Sequence, residues 1–302
     1  MLGIGSSLTK AHYTLQKFSE YSLKLDGTND YVNCGNSYLI RPVDLISISA
    51  WINIDSGTTW INPDGNDDHN EAIIGNIIVG GWGLTIIYAG TAANPQTSIK
   101  FTIKISNSGS GSAGYISASD GGTVAGGSAP HIITTLTGWV HLVATFDGRY
   151  AKVYYNNTLL ATADSGGTGR TIVYGGYTDS EGSTSGVAQR NGDVLIGADT
   201  KIGNNTSGSS TAHHYLKNGF IDEVAIWNEV LDADAIAAIY NSGAPDFSLQ
   251  EDDGDYDISD NLQGYWRFEE GSGTTVADSS DNSNTGTLIN SPLWDGTTPT
   301  ST

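Results

Sequence analysis

Short runs of apolar and β-branched residues recur along this chain, each bounded by glycine, asparagine, aspartate or serine. In LTGWVHLVATFDG (136–148), apolar side chains occupy both alternating faces, which is typical of a strand buried inside a sandwich. The next run, AKVYYNNTLLATAD (151–164), contains Asn156-Asn157, and asparagine tolerates the positive φ of a two-residue hairpin turn. Further strand candidates lie at 22–27, 30–35, 46–55, 72–80, 82–89, 98–106, 193–199 and 219–230. The pattern predicts an all-β fold.

One segment departs from the strand pattern. In LDADAIAAIYNSGAP, Asp232 can cap a helix, apolar residues recur at helical spacing, and Gly243 and Pro245 end it. We therefore predict one short helix near 232–242. The Gly/Ser/Thr-rich stretches at 107–130, 164–190 and 204–214 carry no core pattern and are predicted to be loops.

Charge and cysteine content exclude several classes of function. The chain has 13 basic and 33 acidic residues, a net charge of -20, so it lacks the basic footprint that nucleic acid or anionic lipid requires. No apolar run approaches the length of a membrane span, so no membrane insertion is expected. Cys34 is the single cysteine, which excludes an intrachain disulfide. The N-terminus, MLGIGSSLTKAHYTLQKFSEYS, does not have the pattern of a signal peptide.

Four blocks of sequence resemble a known family. They are LDGTNDYVNCGNS (25–37), ISISAWINID (46–55), GWVHLVATFDGRYAKVYYNNTLLATA (138–163) and GFIDEVAIWNEVLDADAIAAIYNSG (219–243). In this order they resemble a LamG-like jelly-roll domain of the concanavalin A-like lectin/glucanase superfamily. The resemblance implies a two-sheet antiparallel jelly-roll sandwich.

The C-terminal segment LQGYWRFEEGSGTTVADSSDNSNTGTLINSPLWDG (262–296) resembles the segment that normally opens such a domain. Either the domain is circularly permuted or the tail begins a truncated second copy. We favour permutation, because a lone half-domain would leave its aromatic residues without a core. The expected organisation is an N-terminal docking arm at 1–20, a sandwich at 21–245, a solvated acidic linker at 246–260, completing strands at 261–296 and a tail at 297–302.

The leader MLGIGSSLTKAHYT is similar to the opening of LamG-containing structural proteins of marine tailed phages. That similarity implies a non-enzymatic virion structural protein, either a capsid decoration, head-fibre or tail-associated protein, displayed on the virion surface. Its partners would be neighbouring virion proteins, contacted through the N-terminal arm, and host-surface glycans; assembly into a homo-oligomer stays open. The alternatives are a free extracellular carbohydrate-binding or adhesion module and a glycoside hydrolase of the same superfamily.

Catalysis is not expected from the carboxylate spacing. Retaining glycosidases need two carboxylates roughly 5–5.5 Å apart. The family's hydrolases carry them as E-x-D-x-x-E, and no glutamate of this chain opens that motif. Glu269 and Glu270 are adjacent and would point to opposite faces of a strand.

One structural Ca²⁺ is the expected cofactor. The resemblance places Asp222, in the IDEV block, where related sandwiches hold calcium with an aspartate and backbone carbonyls. Asp26, Asn29 and Asp30 in the LDGTND turn are the next candidates, because hard cations prefer carboxylate and amide oxygens. The alternative for Asp26 and Asn29 is turn formation alone, and the alternative for Asp222 is a hydrogen-bonded residue at a strand bend.

Saccharide binding would use aromatic side chains in polar loops, because sugar rings stack on aromatic faces. Four residues meet this criterion: Trp60, Tyr115, Tyr174 and Tyr177. Trp51, Trp139, Trp227 and Trp266 lie within strand patterns and are assigned to the core.

Overall fold

The computed structural model describes residues 18–54, 69–76, 80–91, 94–106, 114–120, 123–124, 127–128, 136, 138–174, 193–198 and 215–299. These residues form an all-β sandwich with one short α-helix, as the sequence predicts. In chain order the elements are β1 (Ser22–Leu25), β2 (Tyr31–Asn33), β3 (Ile46–Ile54), β4 (His69–Gly75), β5 (Trp82–Thr91), β6 (Asn94–Ile105), β7 (Gly114–Ser119), β8 (Thr123–Val124), β9 (Gly127–Ser128), β10 (Val140–Phe146), β11 (Tyr150–Tyr155), β12 (Thr158–Asp164), β13 (Leu195–Ile196), β14 (Gly219–Trp227), α1 (Ala233–Tyr240), β15 (Leu262–Trp266), β16 (Thr275–Val276), β17 (Gly286–Ile289) and β18 (Leu293–Asp295).

Two antiparallel sheets make up the sandwich. The first sheet has the order β12-β11-β10-β3-β14-β1-β18, and β15 also pairs with β14. The second has the order β16-β17-β2-β13-β4-β5-β6-β7. A separate two-stranded ribbon joins β8 and β9. None of the described helices is long and apolar enough to cross a bilayer.

The main hydrophobic core lies between the two sheets. Inward-facing residues of β3, β10 and β14 meet those of β5 and β6, including Ile48, Leu142, Ile226, Trp82 and Phe101. All five side chains are fully buried, and burial of apolar surface on this scale is the main stabilising contribution to such a fold.

A second apolar cluster covers the outer face of the first sheet. Helix α1 and the segment after it pack on this face through residues that include Ile236, Ile239, Leu249 and Tyr256. The helix begins at the Asp232 cap, whose carboxylate accepts the Ala235 N–H at 2.8 Å. It ends at Asn241, which has a left-handed conformation, two residues before the predicted stop at Gly243.

The C-terminal segment contributes strands to both sheets. β15 pairs with β14, β18 pairs with β1, and β17 pairs with β2. Its aromatic residues Tyr265, Trp266 and Phe268 are fully buried. The pairing is the arrangement that the permutation hypothesis requires; the domain boundaries themselves stay a prediction.

The segments expected to be irregular contain one further strand of the second sheet and two buried apolar side chains. The segment 107–130 was expected to be a loop, but Gly114–Ser119 forms the edge strand β7, paired with β6 over six residues. Its exposed side chains are Tyr115 and Ser117, while Ile116 and Ala118 alternate with them and pack against the main core. The linker at 246–260 keeps most of its acidic side chains exposed, yet buries Leu249 and Tyr256 against the first sheet.

Candidate functional site

A β-bulge in β14 lies where that strand changes its neighbour. β14 pairs with β1 through Ile221 and with β15 from Val224 onward, so β1 and β15 lie end to end along it. The register to β3 shifts between Asp222 and Ala225, and Glu223 adopts a positive φ of 48°. The bulge brings Asp222, Glu223 and Glu269 together, with ligand oxygens within 4.8 Å of one another. We call these three residues the carboxylate cluster.

Asp222 is fully buried, and both of its carboxylate oxygens have partners. Ser19 donates its hydroxyl to Oδ2 at 2.8 Å, and the Glu223 N–H donates to Oδ1 at 2.9 Å. Burial and the neighbouring Glu223 raise the pKa of Asp222 well above its usual range. Ser19 thus contacts the sandwich directly, and the boundary of the expected arm at 1–20 stays a prediction.

Glu223 accepts hydrogen bonds from two side chains of the C-terminal segment. The Tyr265 hydroxyl donates to Oε2, and the Arg267 Nε donates to Oε1 at 3.2 Å. Burial raises the pKa of Glu223 to about 7, and the Arg267 charge opposes this increase.

Residues 18–21 close the carboxylate cluster from outside. The Glu20 N–H donates to both oxygens of Glu269, at 3.1 and 2.9 Å. Arg267 donates to the Phe18 carbonyl at 3.0 Å and its guanidinium lies 4.3 Å from the centroid of the Phe18 ring. Hydrogen bonds at this cluster therefore connect the N-terminal segment to the C-terminal segment.

The carboxylate cluster has the spacing to hold a metal ion, but its surroundings do not suit calcium. Ca²⁺ takes six to eight oxygen ligands from ionised carboxylates and carbonyls. Here the oxygens of the cluster accept N–H and O–H donors, and the Arg267 guanidinium already neutralises one charge. The expectation that Asp222 belongs to a calcium site is therefore not supported by its donor set.

The other expected metal ligands form a turn of their own. Asp26 Oδ1 accepts the Thr28 and Asn29 N–H groups at 2.8 and 3.3 Å, and Asp30 Oδ2 accepts the Asp26 N–H at 3.1 Å. These bonds are the Asx-turn chemistry that such residues provide without a metal. Leu25 pairs with Gly219, so Asp26 lies roughly 13 Å, four strand residues, along β14 from Asp222. The Asp26–Asp30 turn and the bulge at Asp222 therefore do not form one metal site.

A narrow cavity of about 10 Å³, with room for one water molecule, lies beneath the segment after α1. Glu223, Tyr265, Ser49 and His141 contribute its polar lining. His141 Nε2 lies 2.7 Å from the Ser49 hydroxyl, while Nδ1 has no hydrogen-bond partner among the described residues. Burial lowers the pKa of His141 to about 3, so the ring is neutral at physiological pH.

Two of the four expected sugar-binding aromatics, Tyr115 and Tyr174, lie within the described residues. Trp60 and Tyr177 lie outside them. Tyr115 lies on the edge strand β7 rather than in a loop; it is 52% exposed and the Lys104 Nζ lies 5.7 Å from its ring centroid. Tyr174 is half-buried and packs against the main core.

Tyr174 instead supports an open groove of about 330 Å³ on the surface, which we call the Tyr38 groove. This volume lies at the lower end of the range for small-ligand sites. The groove is lined by Tyr38, Leu39, Arg41, Pro42, Val43, Asp44, Leu45, Asn228 and Gln263. Tyr38 is 78% exposed and Val43 is 53% exposed, so an aromatic ring and an aliphatic side chain face solvent together.

Three contacts fix the wall of the groove between β2 and β3. The Arg41 N–H donates to the Tyr38 carbonyl at 3.2 Å, which forms a turn. The Tyr174 hydroxyl donates to the Pro42 carbonyl at 2.8 Å, and the Arg41 guanidinium lies 5.7 Å from the Tyr174 ring centroid. The expected aromatic Tyr174 thus holds this wall from below.

The opposite wall is polar and comes from the ends of β14 and β15. Asn228 accepts a hydrogen bond from Asn261 Nδ2 at 3.0 Å, and Gln263 Nε2 donates to the Asn261 carbonyl at 3.1 Å. The Asn228 Nδ2 and Gln263 Oε1 atoms have no hydrogen-bond partner in the described part of the chain. Asn228 is exposed and Gln263 is 8% exposed, so they leave one accessible donor and one largely buried acceptor at the groove.

The Tyr38 groove was not predicted from the sequence. Tyr38 follows Asn36 and Ser37 and precedes the predicted strand at 46–55, so its polar turn context was the available signal. The contribution of Asn228 and Gln263 could not be read from the sequence, because it depends on the pairing of β15 with β14.

No family model and no curated protein matches the chain. Among solved structures, it is similar to a protein from Bacteroides ovatus named for an assumed carbohydrate-binding role, with 15% identity, a TM-score of 0.48, and coverage of 93% of this chain and 61% of that one. It is also similar to a heptameric pentraxin from Limulus polyphemus, with 14% identity, a TM-score of 0.42, and coverage of 73% and 82%. Laminin domains LG4-5 of the mouse α1 chain give 13% identity, a TM-score of 0.39, and coverage of 69% and 41%. The chain thus spans about three fifths of the Bacteroides protein, and these likenesses are too distant to assign a function.

Proposed function

We propose that this protein is a non-catalytic carbohydrate-binding module and that the saccharide occupies the Tyr38 groove. The observation that carries the proposal is the solvent-facing Tyr38 ring beside free polar groups in a groove of about 330 Å³. Sugar rings present apolar C–H faces for stacking on an aromatic side chain and hydroxyl groups for hydrogen bonds at the rim. The groove offers both kinds of contact within one concave surface.

A catalytic role is not proposed for the carboxylate cluster, although its oxygens lie within 4.8 Å of one another. Asp222 and Glu223 are buried beneath residues 18–21. Asp222 accepts a hydrogen bond from Ser19, and Glu223 accepts hydrogen bonds from Tyr265 and Arg267. A glycosidic bond would have to reach both carboxylates for acid and nucleophile chemistry. The cluster instead links the N-terminal segment to the C-terminal segment.

Display on a virion surface, contact with virion proteins through the N-terminal arm, and the extracellular alternative stay predictions from the sequence. Residues 1–17, which would form most of that arm, lie outside the described residues. The carbohydrate-binding role does not depend on where the module is displayed.

Binding to an array of neutral and acidic glycans tests the proposal, followed by titration of the best ligand into wild type and Tyr38→Ala. We expect Tyr38→Ala to weaken binding roughly tenfold or more, because it removes the stacking surface, and tenfold corresponds to about 1.4 kcal/mol. Tyr115→Ala is the matched control, because it removes another exposed tyrosine, on β7. Full binding by Tyr38→Ala, or no binding of any glycan by wild type, would contradict the proposal.

A further inference from the structure

We infer that the saccharide bound in the Tyr38 groove carries a carboxylate group, which pairs with Arg41. This inference rests on the proposed function and adds the chemical class of the ligand. A uronic acid and a sialic acid present the same sugar-borne carboxylate, so either could supply it.

Arg41 is held so that the outer end of its side chain stays free. Its Nε donates to the Ser37 carbonyl at 3.4 Å, and its guanidinium lies over the Tyr174 ring. No described residue accepts a hydrogen bond from its two Nη atoms or forms an ion pair with it. A guanidinium fixed in this way presents two parallel N–H donors, the geometry that matches a carboxylate.

The other arginines among the described residues use their Nη atoms within the protein. Arg149 pairs with Asp164 at 2.9 Å, and Arg267 donates to the Phe18 carbonyl at 3.0 Å. Arg170 donates from both Nη atoms to main-chain carbonyls. Arg41 is thus the arginine of the described residues whose Nη atoms stay unbonded, and it lies in the groove.

The placement of Tyr38 and Arg41 suits a single sugar residue. The two residues belong to one turn, closed by the Arg41 N–H and the Tyr38 carbonyl. A sugar stacked on the Tyr38 ring can therefore direct a ring carboxylate to Arg41 while its hydroxyls face Asn228 and Gln263. These two polar residues complete the site across the groove.

Asp44 provides a second test, because removal of its charge should change the affinity for acidic and neutral sugars in opposite directions. It is exposed, lines the same groove and has no ion-pair partner among the described residues. Its charge repels an acidic ligand, so removal of that charge should strengthen binding of a carboxylate-bearing sugar. For a neutral sugar, the same change replaces one charged acceptor oxygen by an amide N–H donor and should weaken hydrogen bonds from the sugar hydroxyls.

The test uses two matched pairs of probes: polygalacturonic acid with its methyl ester, and sialyllactose with lactose. Binding is measured by calorimetric titration to wild type, Arg41→Met, Arg41→Lys and Asp44→Asn. Arg149→Met is the control, since it removes an equal charge at an exposed pair far along the chain. Thermal unfolding of each variant checks that the fold is retained.

We expect at least one acidic probe to bind roughly tenfold or more tightly than its neutral partner. Arg41→Met should abolish that preference, Arg41→Lys should retain part of it, and Asp44→Asn should increase it. Equal binding of acidic and neutral probes that is insensitive to Arg41→Met would overturn the inference and leave the carbohydrate-binding role standing. Absence of binding to every probe and every glycan on the array would overturn both.

Discussion

Two titratable residues with opposite dependence on pH line the same narrow cavity. The folded-state pKa of Glu223 is about 7, above its ordinary 4.5, so the folded protein binds the extra proton and loses stability as pH rises through this interval. The folded-state pKa of His141 is about 3, below its ordinary 6.5, so the unfolded chain binds the extra proton and stability rises with pH over that interval. The contributions of the two residues to the pH dependence of stability therefore partly cancel in the wild-type protein.

Single substitutions should separate the two contributions. For Glu223→Gln, we compare the unfolding free energy of the variant with that of the wild type at each pH. As pH increases from 4.5 to 7, this difference should shift in favour of the variant by roughly 1–3 kcal/mol, because the neutral amide does not ionise. For His141→Gln, the same difference should shift against the variant by a similar amount as pH increases, because its unfolded chain no longer binds the histidine proton. Urea unfolding at a series of pH values measures both slopes. Unchanged slopes in both variants would show that these pKa shifts do not contribute to stability.

At the residue level, individual functional residues were predicted from the sequence better than the groups of residues that they contact. Asp222 was singled out from the IDEV block, but its partners Ser19 and Glu269 lie far from it in sequence and meet it only through the bulge in β14. Tyr174 was predicted from its polar context, which does not show that its hydroxyl reaches the Pro42 carbonyl. Distant partners of this kind depend on strand pairing, so local composition cannot reveal them.

At the level of elements, the hairpin between β11 and β12 follows the predicted turn chemistry. Asn156 and Asn157 have φ values of 45° and 62°, which a β-branched residue adopts only with strain. Asn156 also accepts the His141 N–H at 2.8 Å, so the turn is tied to β10. The turn is therefore specific in both conformation and contacts.

We predict that Asn157→Val lowers the free energy of unfolding by about 1–2 kcal/mol, because valine is strained at this positive φ. Asn157→Gly is the matched control and should be neutral or slightly stabilising, since glycine adopts the conformation freely. Denaturant unfolding of the two variants measures the difference. Equal stability of the valine and glycine variants would contradict a turn that requires positive φ.

Strands with a hydrophobic pattern were predicted well, and strands without one were not. β3 and β14 were predicted to within a few residues because their inward faces are apolar. β7 was missed because its apolar face consists only of Ile116 and Ala118, within a run of glycine and serine. An edge strand of this composition depends on the hydrogen bonds offered by β6, which the local sequence does not encode.

At the level of the whole molecule, the C-terminal segment joins both sheets and one wall of the groove. β15 extends the first sheet, β17 extends the second, and Gln263 of β15 faces the groove opposite Tyr38. The sequence resemblance anticipated that this segment completes the sandwich, and this is consistent with the permuted organisation that we propose. The site depends on that arrangement, because a separate second copy would not place Gln263 beside Asn228.

The most direct measurement of the central claim is a crystal structure of the protein with the tightest-binding saccharide from the array. We expect a sugar ring stacked on Tyr38 and a sugar carboxylate within hydrogen-bond distance of the Arg41 Nη atoms. A saccharide bound elsewhere, for example on Tyr115 of β7, with the Tyr38 groove left empty, would contradict it.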